Sequence, residues 1–207
     1  MPDPALSTSP WGSRADRAAE RDAKRKAVLT TAVRFFNSKG FAATSLDDVA
    51  KALQVTKPTI YHYFSSKDEI LFECVRLGLE AIRDAAEQVR ARGGSGRERL
   101  EALMLEYALV MTRDFGICVT RTSDDQLGDD SRVRFRALKR EIDLILRDVI
   151  TDGMEDGTLA QGDPRVVCFT ISGALNWIAR WYRPNGPMTA QDVARSTVAT
   201  LMAGLAS

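Results

Sequence analysis

The sequence predicts an all-α protein of about nine helices. From about Asp22 onward, apolar residues recur with the period of about 3.6 residues that is typical of helices. No run of alternating apolar and polar residues is long enough to indicate a sheet. The chain has 207 residues, of which 44% are apolar and 28% are charged, as in ordinary globular proteins. We therefore expect one large helical domain or two small ones.

A flexible tail and a first helix are predicted at the N-terminus. Residues 1–20 are expected to form the tail, a basic one, because Pro, Ser and Gly are frequent at its start and little of it is apolar. A helix of about 17 residues follows and ends at Gly40, where a left-handed residue is expected. Its apolar stripe consists of Val28, Ala32, Phe35 and Phe36. The stripe predicts that one face of this helix is buried.

Two short helices follow, each with its own capping signal. Ser45 and Asp48 have the spacing of a capping box and predict a second helix of about two turns. Thr56 can cap a third helix that runs through Tyr63. Residues 21–68 thus predict a three-helix domain of the helix-turn-helix type, in which two short helices are joined by a tight turn.

The remaining residues, 69–207, predict a second domain, a helical bundle. Its first long helix begins at Ser65 or Ser66 and ends at the glycine-rich residues 93–96. Residues 114–130 are expected to be looser, because two Asp pairs and a glycine interrupt the helical pattern. The other helices are predicted to begin at capping residues or just after a loop, namely at Ser95, Ser131, Asp163 and Thr189.

Composition and motifs exclude most enzyme chemistry. The three cysteines lie far apart without a CxxC pair, and the single histidine, His62, leaves too few ligands for a zinc site. No phosphate-binding loop, dinucleotide fingerprint or nucleophile elbow is present. We therefore predict a protein that is not an enzyme and uses neither a cofactor nor a metal. No segment reads as a signal peptide or a membrane span, so we expect a cytoplasmic protein that contacts no membrane.

Basic charge is concentrated in the helix-turn-helix segment. Between Arg14 and Lys67 the chain has eleven Lys and Arg against five acidic residues, a net charge of +6. Residues 71–207 have 18 basic and 20 acidic residues, a net charge of −2. Free N–H groups and the positive dipole end at the start of the third helix also favour phosphate. The distribution therefore predicts a surface that binds DNA.

The segment TSLDDVAKALQVTKPTIYHYFSSKDEIL, together with the upstream FFNSKGFAATS, resembles the TetR family of transcriptional regulators. This resemblance implies a homodimer on an operator with two-fold symmetry, repression by default, and a helical C-terminal domain that binds a small inducer. Gln54 stands at the turn position where family members usually have glycine. If its φ is positive, the substitution costs about 1 kcal/mol, and we expect the turn to be kept.

The resemblance also implies which residues contact DNA. Thr44 matches a residue that holds a phosphate, Tyr61 and Lys67 are expected to contact the DNA backbone, and the third helix presents the rest. His62 has the alternative of a packing role. The full predicted set is Thr44, Lys57, Thr59, Tyr61, His62, Tyr63 and Lys67.

In the C-terminal half, GALNWIARWYRPNGPMTAQDVA is similar to a segment of acyl-CoA-responsive members of the family, among them regulators of fatty-acid and steroid breakdown. Aromatic rings and guanidinium groups on one helix face could hold the adenine and phosphates of a CoA thioester. The predicted ligand-binding residues are Met104, Tyr107, Met111, Phe115, Trp177, Arg180 and Trp181. Two alternatives stay open: the tryptophans could be core or dimer-seam residues, and the Met and aromatic stripe could be plain core.

The most direct interpretation is a ligand-responsive repressor of an operator, released by a small apolar or acyl-CoA-type effector. The helices that begin at Pro164 and Thr189 are the predicted dimer seam, since they contain small residues that permit close approach. The alternative is a DNA-binding dimer whose C-terminal half only dimerises and binds no ligand.

Overall fold

The computed structural model describes residues 14–205, and their side chains from residue 16 onward. Within that range it contains nine α-helices, one short 3-10 helix at Asp124–Gln126, and no strand. The predicted all-α fold with about nine helices is therefore confirmed. The helices are α1 (Arg14–Lys39), α2 (Leu46–Ala52), α3 (Lys57–Tyr61), α4 (Lys67–Arg92), α5 (Gly96–Met111), α6 (Asp114–Arg121), α7 (Asp129–Glu155), α8 (Pro164–Trp181) and α9 (Ala190–Ala203).

The start of α1 differs from the prediction. The helix begins at Arg14, eight residues before Asp22, so residues 14–20 belong to α1 and not to a tail. The apolar stripe marks only the part of the helix that packs on the core, whereas the preceding turns are rich in Ala, Arg and Glu, which have high helix propensity. The first part of the predicted tail, residues 1–13, lies outside the described residues.

The segment predicted to be loose is mostly helical. Residues 114–121 form α6, and the 3-10 helix lies between α6 and α7. Gly116 does not break α6, because the helix passes so close to the end of α5 that a Cβ atom at this position would overlap the carbonyl of Val110. Gly116 thus permits close packing of the two helices. The glycine on which the prediction rested is Gly128, and it is the N-cap of α7.

Most predicted caps are present. Capping boxes form at Ser45, Ser95 and Thr189, and the Asp163 carboxylate accepts a hydrogen bond from the backbone N–H of Arg165. Ser66, not Ser65, is the N-cap of α4. Two starts differ in detail. Helix α7 begins at Asp129, two residues before Ser131, and the hydroxyl of Thr56 caps no N–H group but lies 2.9 Å from that of Thr59.

Helix α4 joins the two parts of the molecule. Its first turns pack against α1, and the rest of it packs against α5, α6 and α7. Helices α8 and α9 lie against α5 on the far side. The three cysteines, Cys74, Cys118 and Cys168, are free and buried, and burial raises the pKa of each thiol. None of the described helices is long and apolar enough to cross a lipid bilayer.

Candidate nucleic-acid interface and effector groove

The turn between α2 and α3 keeps its tight form although it contains no glycine. Gln54 has a φ of 56° and is the single non-glycine residue with positive φ among the described residues. Backbone hydrogen bonds close the turn, from the N–H of Gln54 to the Lys51 carbonyl at 3.1 Å and from Val55 to Ala50 at 3.0 Å. The expectation that the turn survives with Gln54 in the left-handed region is confirmed.

Helix α3 is fixed from its inner side and at its C-terminal end. The side chain of Ile60, on the inner face of α3, is completely buried. The Arg25 guanidinium of α1 donates a hydrogen bond of 2.6 Å to the carbonyl of Tyr63 and lies 4.3 Å from the centre of the Phe64 ring. It also lies 3.6 Å from the carboxylate of Glu73 in α4. Arg25 therefore connects the C-terminal end of α3, which is the candidate recognition helix, to the long helices α1 and α4.

The outer surface of α3 presents side chains suited to DNA. Thr59 and His62 are exposed, and Tyr61 is 47% exposed in spite of its size. Tyr63 is half-buried, and its ring contacts that of His62 edge to face at 5.1 Å. Hydroxyl, imidazole and phenol groups are all able to contact phosphates and base edges. The structure thus brings four of the predicted residues together, Thr59 and Tyr61 on α3 and His62 and Tyr63 directly after it.

The two predicted lysines lie at the edges of this surface. Lys57 forms an ion pair of 2.9 Å with Asp47 of α2, which raises the lysine pKa. The Lys67 ammonium group lies 4.3 Å from the centre of the Phe41 ring and 3.5 Å from the Ala42 carbonyl oxygen. Partial burial lowers the pKa of Lys67. Both groups are held in place before any DNA arrives.

Thr44 differs from the other predicted DNA contacts. Its side chain is 1% exposed, and its hydroxyl donates a hydrogen bond of 2.8 Å to the carbonyl of Gly40. In this position it closes the connection between α1 and α2 and does not face solvent. Arg25 was not among the site residues predicted from the sequence. Its signal was its position one turn before Val28, on the side of α1 that becomes buried.

The residues predicted to bind a ligand do not form one site. Met104, Tyr107 and Met111 lie inside the core, where the Tyr107 hydroxyl donates a hydrogen bond of 3.0 Å to the side chain of Asn176. Phe115 is half-buried against the same core. This arrangement agrees with the alternative that the stripe is plain core.

The other three predicted ligand residues project outward from α8. Trp177 is 64% exposed, Trp181 is 45% exposed, and Arg180 is also exposed. Trp181 lines a shallow depression between α8 and α9 of about 380 Å³ together with Met188. The face continues through the exposed side chains of Val166 and Phe169. An apolar stripe of this kind on a single helix is typical of a surface covered by a partner.

A larger groove lies between α4, α5 and α7. It has a volume of about 610 Å³, within the usual range for sites that bind small molecules. Its floor is apolar, and its rim has the three arginines Arg83, Arg90 and Arg99 among five carboxylates. The apolar lining consists of Ala86, Val89, Leu103, Ile145 and Val149. None of the predicted ligand residues lines this groove, because it is assembled from three helices that are distant in sequence.

One aspartate of each acidic pair, Asp124 and Asp129, forms ion pairs. Asp124 accepts hydrogen bonds from Arg136 at 2.5 Å and Lys139 at 2.9 Å, which lower its pKa. Among the described side chains, no group of three or more His, Cys, Asp or Glu could hold a metal ion.

Comparison with known proteins agrees with this geometry. Residues 28–74 match the family described as bacterial regulatory proteins, tetR family. Residues 93–205 match the family described as Tetracyclin repressor-like, C-terminal domain. The chain is 26% identical over 196 residues to KstR2 of Rhodococcus jostii (strain RHA1), an HTH-type transcriptional repressor, covering 93% of this chain and 96% of the relative.

Two solved structures are similar to this chain in both sequence and fold. PfmR from Thermus thermophilus, a TetR family transcriptional regulator, is 31% identical with a TM-score of 0.78, covering 85% of this chain and 97% of that one. AibR in complex with isovaleryl coenzyme A and operator DNA is 26% identical with a TM-score of 0.76, covering 85% and 96%.

The exposed recognition helix and the helical domain behind it define a DNA-binding transcriptional regulator, not an enzyme. The chain belongs to the TetR family, as both of its halves show.

Proposed function

We propose that the protein is a repressor that binds a two-fold symmetric operator as a homodimer and is released by a small apolar or acyl-CoA-type effector. The observation that carries the proposal is α3, a helix fixed by Ile60 and Arg25 on its inner side while Thr59, Tyr61 and His62 face solvent. Such a protein acts on chromosomal DNA, so we expect it in the cytoplasm.

The proposed DNA contacts divide into two groups. Tyr61, Tyr63 and Lys67 contact phosphates, since they lie toward the end of α3 and the start of α4, while Lys57, Thr59 and His62 are nearer to base edges. Thr44 keeps only an indirect role, because its hydroxyl is already bonded to the Gly40 carbonyl.

The proposed dimer forms through α8 and α9. The exposed apolar stripe of α8, with Trp177 at its centre, and the exposed small residues Gly173, Ala199 and Ala203 support this seam. Small residues permit close approach of helices from two protomers, and Trp is enriched among the few residues that contribute most of the binding energy of an interface.

The effector is proposed to bind in the groove between α4, α5 and α7. An acyl chain fits the apolar floor, and the three rim arginines are suited to phosphate or carboxylate groups. The complex of AibR with isovaleryl coenzyme A supports this class of ligand for a relative of the same fold. The five rim carboxylates favour a second candidate, a cationic apolar effector, because the rim has more acidic than basic groups.

Helix α4 connects the groove to the recognition helix. A series of ion pairs runs along its middle, from Glu73 to Arg83, and joins it to α1 through Arg25 and to α7 through Glu141. The charged residues on this path are, in order, Arg25, Glu73, Arg76, Glu80, Arg83 and Glu141. An effector that draws Arg83 toward itself would disturb this path and move the two recognition helices of a dimer out of register with the operator.

The test is a fluorescence anisotropy titration on duplexes from the DNA immediately upstream of the protein's own gene. CoA thioesters, free fatty acids and cationic amphiphiles are added in separate arms. We expect one class to raise the operator Kd at least about tenfold, which needs about 1.4 kcal/mol of differential binding.

Val149→Trp fills the groove and should prevent release while DNA binding persists. Leu144→Trp, on the exposed side of the same helix, is the matched control.

Specific DNA binding that no effector relieves would contradict ligand release. It would leave the alternative in which the C-terminal half only dimerises.

A further inference from the structure

The first turns of α1 project beyond the packed core. Val28, 5% exposed, is the first buried residue of the helix. Of residues 16–27, all are exposed except Arg25, which is half-buried. A helix that is polar on all sides gains little from packing, so this projecting part has no evident role in holding the domain together.

Three cations of the projecting part lie on one side of the helix. At about 3.6 residues per turn, Arg17, Arg21 and Lys24 fall within an arc of about 60° and form what we name the basic stripe. The stripe continues the face of α1 that Val28 buries farther along. Lys26 lies on the opposite side of the helix, and the three acidic residues of this part lie outside the arc.

The basic stripe begins beside the recognition helix. Arg25, adjacent to Lys24, donates a hydrogen bond to the carbonyl of Tyr63. Lys24 has a raised pKa, chiefly because of its ion pair with Glu20, and Tyr63 adds a smaller contribution. The stripe therefore extends from the end of α3 where Tyr61, Tyr63 and Lys67 are expected to contact phosphates.

We propose that the basic stripe binds phosphates of the duplex outside the half-site that α3 reads. From Arg25 to Arg17 the helix spans about 12 Å, which corresponds to three or four base pairs at about 3.4 Å each. The pair of Lys24 with Glu20 is exposed on both sides, so a phosphate can replace the carboxylate at small cost. The inference rests on the proposed DNA binding, but not on the effector or on the operator sequence.

The test compares two charge-removing changes on the same helix. Arg21→Gln with Lys24→Gln removes two cations of the stripe, and Lys26→Gln removes one from the opposite face. The slope of log K against log salt should fall by about 0.9 for each lost phosphate contact, hence by about 1.8 per protomer in the double variant. Lys26→Gln should keep the wild-type slope. Both variants should melt like the wild type, since these side chains are exposed.

Flank length provides a second readout. Wild-type affinity should fall when four base pairs are trimmed from each end of a duplex that extends beyond the half-sites. The double variant, which keeps only Arg17 of the basic stripe, should lose less affinity on the same trimming. Two results would overturn the inference about the basic stripe but not the proposed function. One is a salt slope of the double variant equal to that of the wild type, and the other is a loss of slope in Lys26→Gln as large as that in the double variant. Wild-type protein that binds no duplex would overturn the proposed function as well.

Discussion

At the scale of single residues, the recognition surface depends on a few side chains that hold others in place. Arg25 bonds the last carbonyl of the recognition segment, and Thr44 closes the connection before α2. Gln54 holds a backbone conformation that most residues avoid. Capping pairs and the short helices were predictable from local spacing. The long-range contact of Arg25 was not, because residues 25 and 63 meet only in the folded domain.

Replacing Gln54 with glycine should stabilise the protein. A non-glycine residue in the left-handed region costs about 1 kcal/mol. Glycine removes this strain, but it also raises the backbone entropy of the unfolded chain, which cancels part of the gain in stability. We expect Gln54→Gly to raise Tm by about 1–3 °C in thermal melting. Gln54→Ala keeps the strain and serves as the control. Equal melting temperatures for the glycine and alanine variants would show that the turn stores no strain.

Removing the partner of Lys57 should strengthen DNA binding. Asp47 competes with phosphate for the lysine and repels phosphate itself. An exposed pair of this kind is weak, so Asp47→Asn should lower the operator Kd by no more than about fivefold. Glu106→Gln, an exposed carboxylate on α5, should leave the Kd unchanged. A weaker Asp47→Asn complex would place Lys57 outside the interface.

At the scale of helices, close crossings decide where the ligand domain sits on α4. A Cβ atom at Gly78 would lie 2.6 Å from the Phe115 carbonyl oxygen and 2.7 Å from a methyl group of Val119. The prediction that residues 114–130 are loose was wrong for another reason: the two Asp pairs and Gly128 lie at the starts of the 3-10 helix and of α7. Helical periodicity reports which face is apolar, but it does not report that a glycine is needed for contact.

Gly78→Ala should therefore push α6 away from α4. Overpacking of this kind costs about 1–3 kcal/mol, which should lower Tm by several degrees in a chain of this length. Gly162→Ala is the control, since its nearest neighbour would be the Met154 methyl group at 3.8 Å. An unchanged Tm for Gly78→Ala would mean that α4 and α6 can separate at no cost.

At the scale of the whole molecule, the sequence predicted the class of protein but not its cavity. The predicted DNA contacts lie close together in the sequence, so they are also close together in the folded domain. The groove takes side chains from α4, α5 and α7, and a single helix shows no signal for it. Trp177 and Trp181 share one helix face as their spacing predicts, but the outward direction of this face is set by how α8 packs on α5.

A charge on the exposed face of α8 should separate the protomers. Trp177→Glu places a carboxylate at the centre of the proposed seam, and burying an unpaired charge costs several kcal/mol. We expect a monomer by analytical ultracentrifugation, together with loss of tight operator binding. Val133→Glu, at an equally exposed apolar position on α7, should stay dimeric. A dimer that survives Trp177→Glu would exclude this face as the seam.

The most direct test of the central claim, that α3 reads an operator as part of a symmetric dimer, is a footprint on the DNA upstream of the protein's own gene. We expect one protected region with two-fold symmetric sequence, in which the half-site centres are separated by about one helical turn or a multiple of it. Tyr61→Ala should abolish protection at the wild-type concentration. Protection without symmetry, or protection unchanged by Tyr61→Ala, would contradict the account.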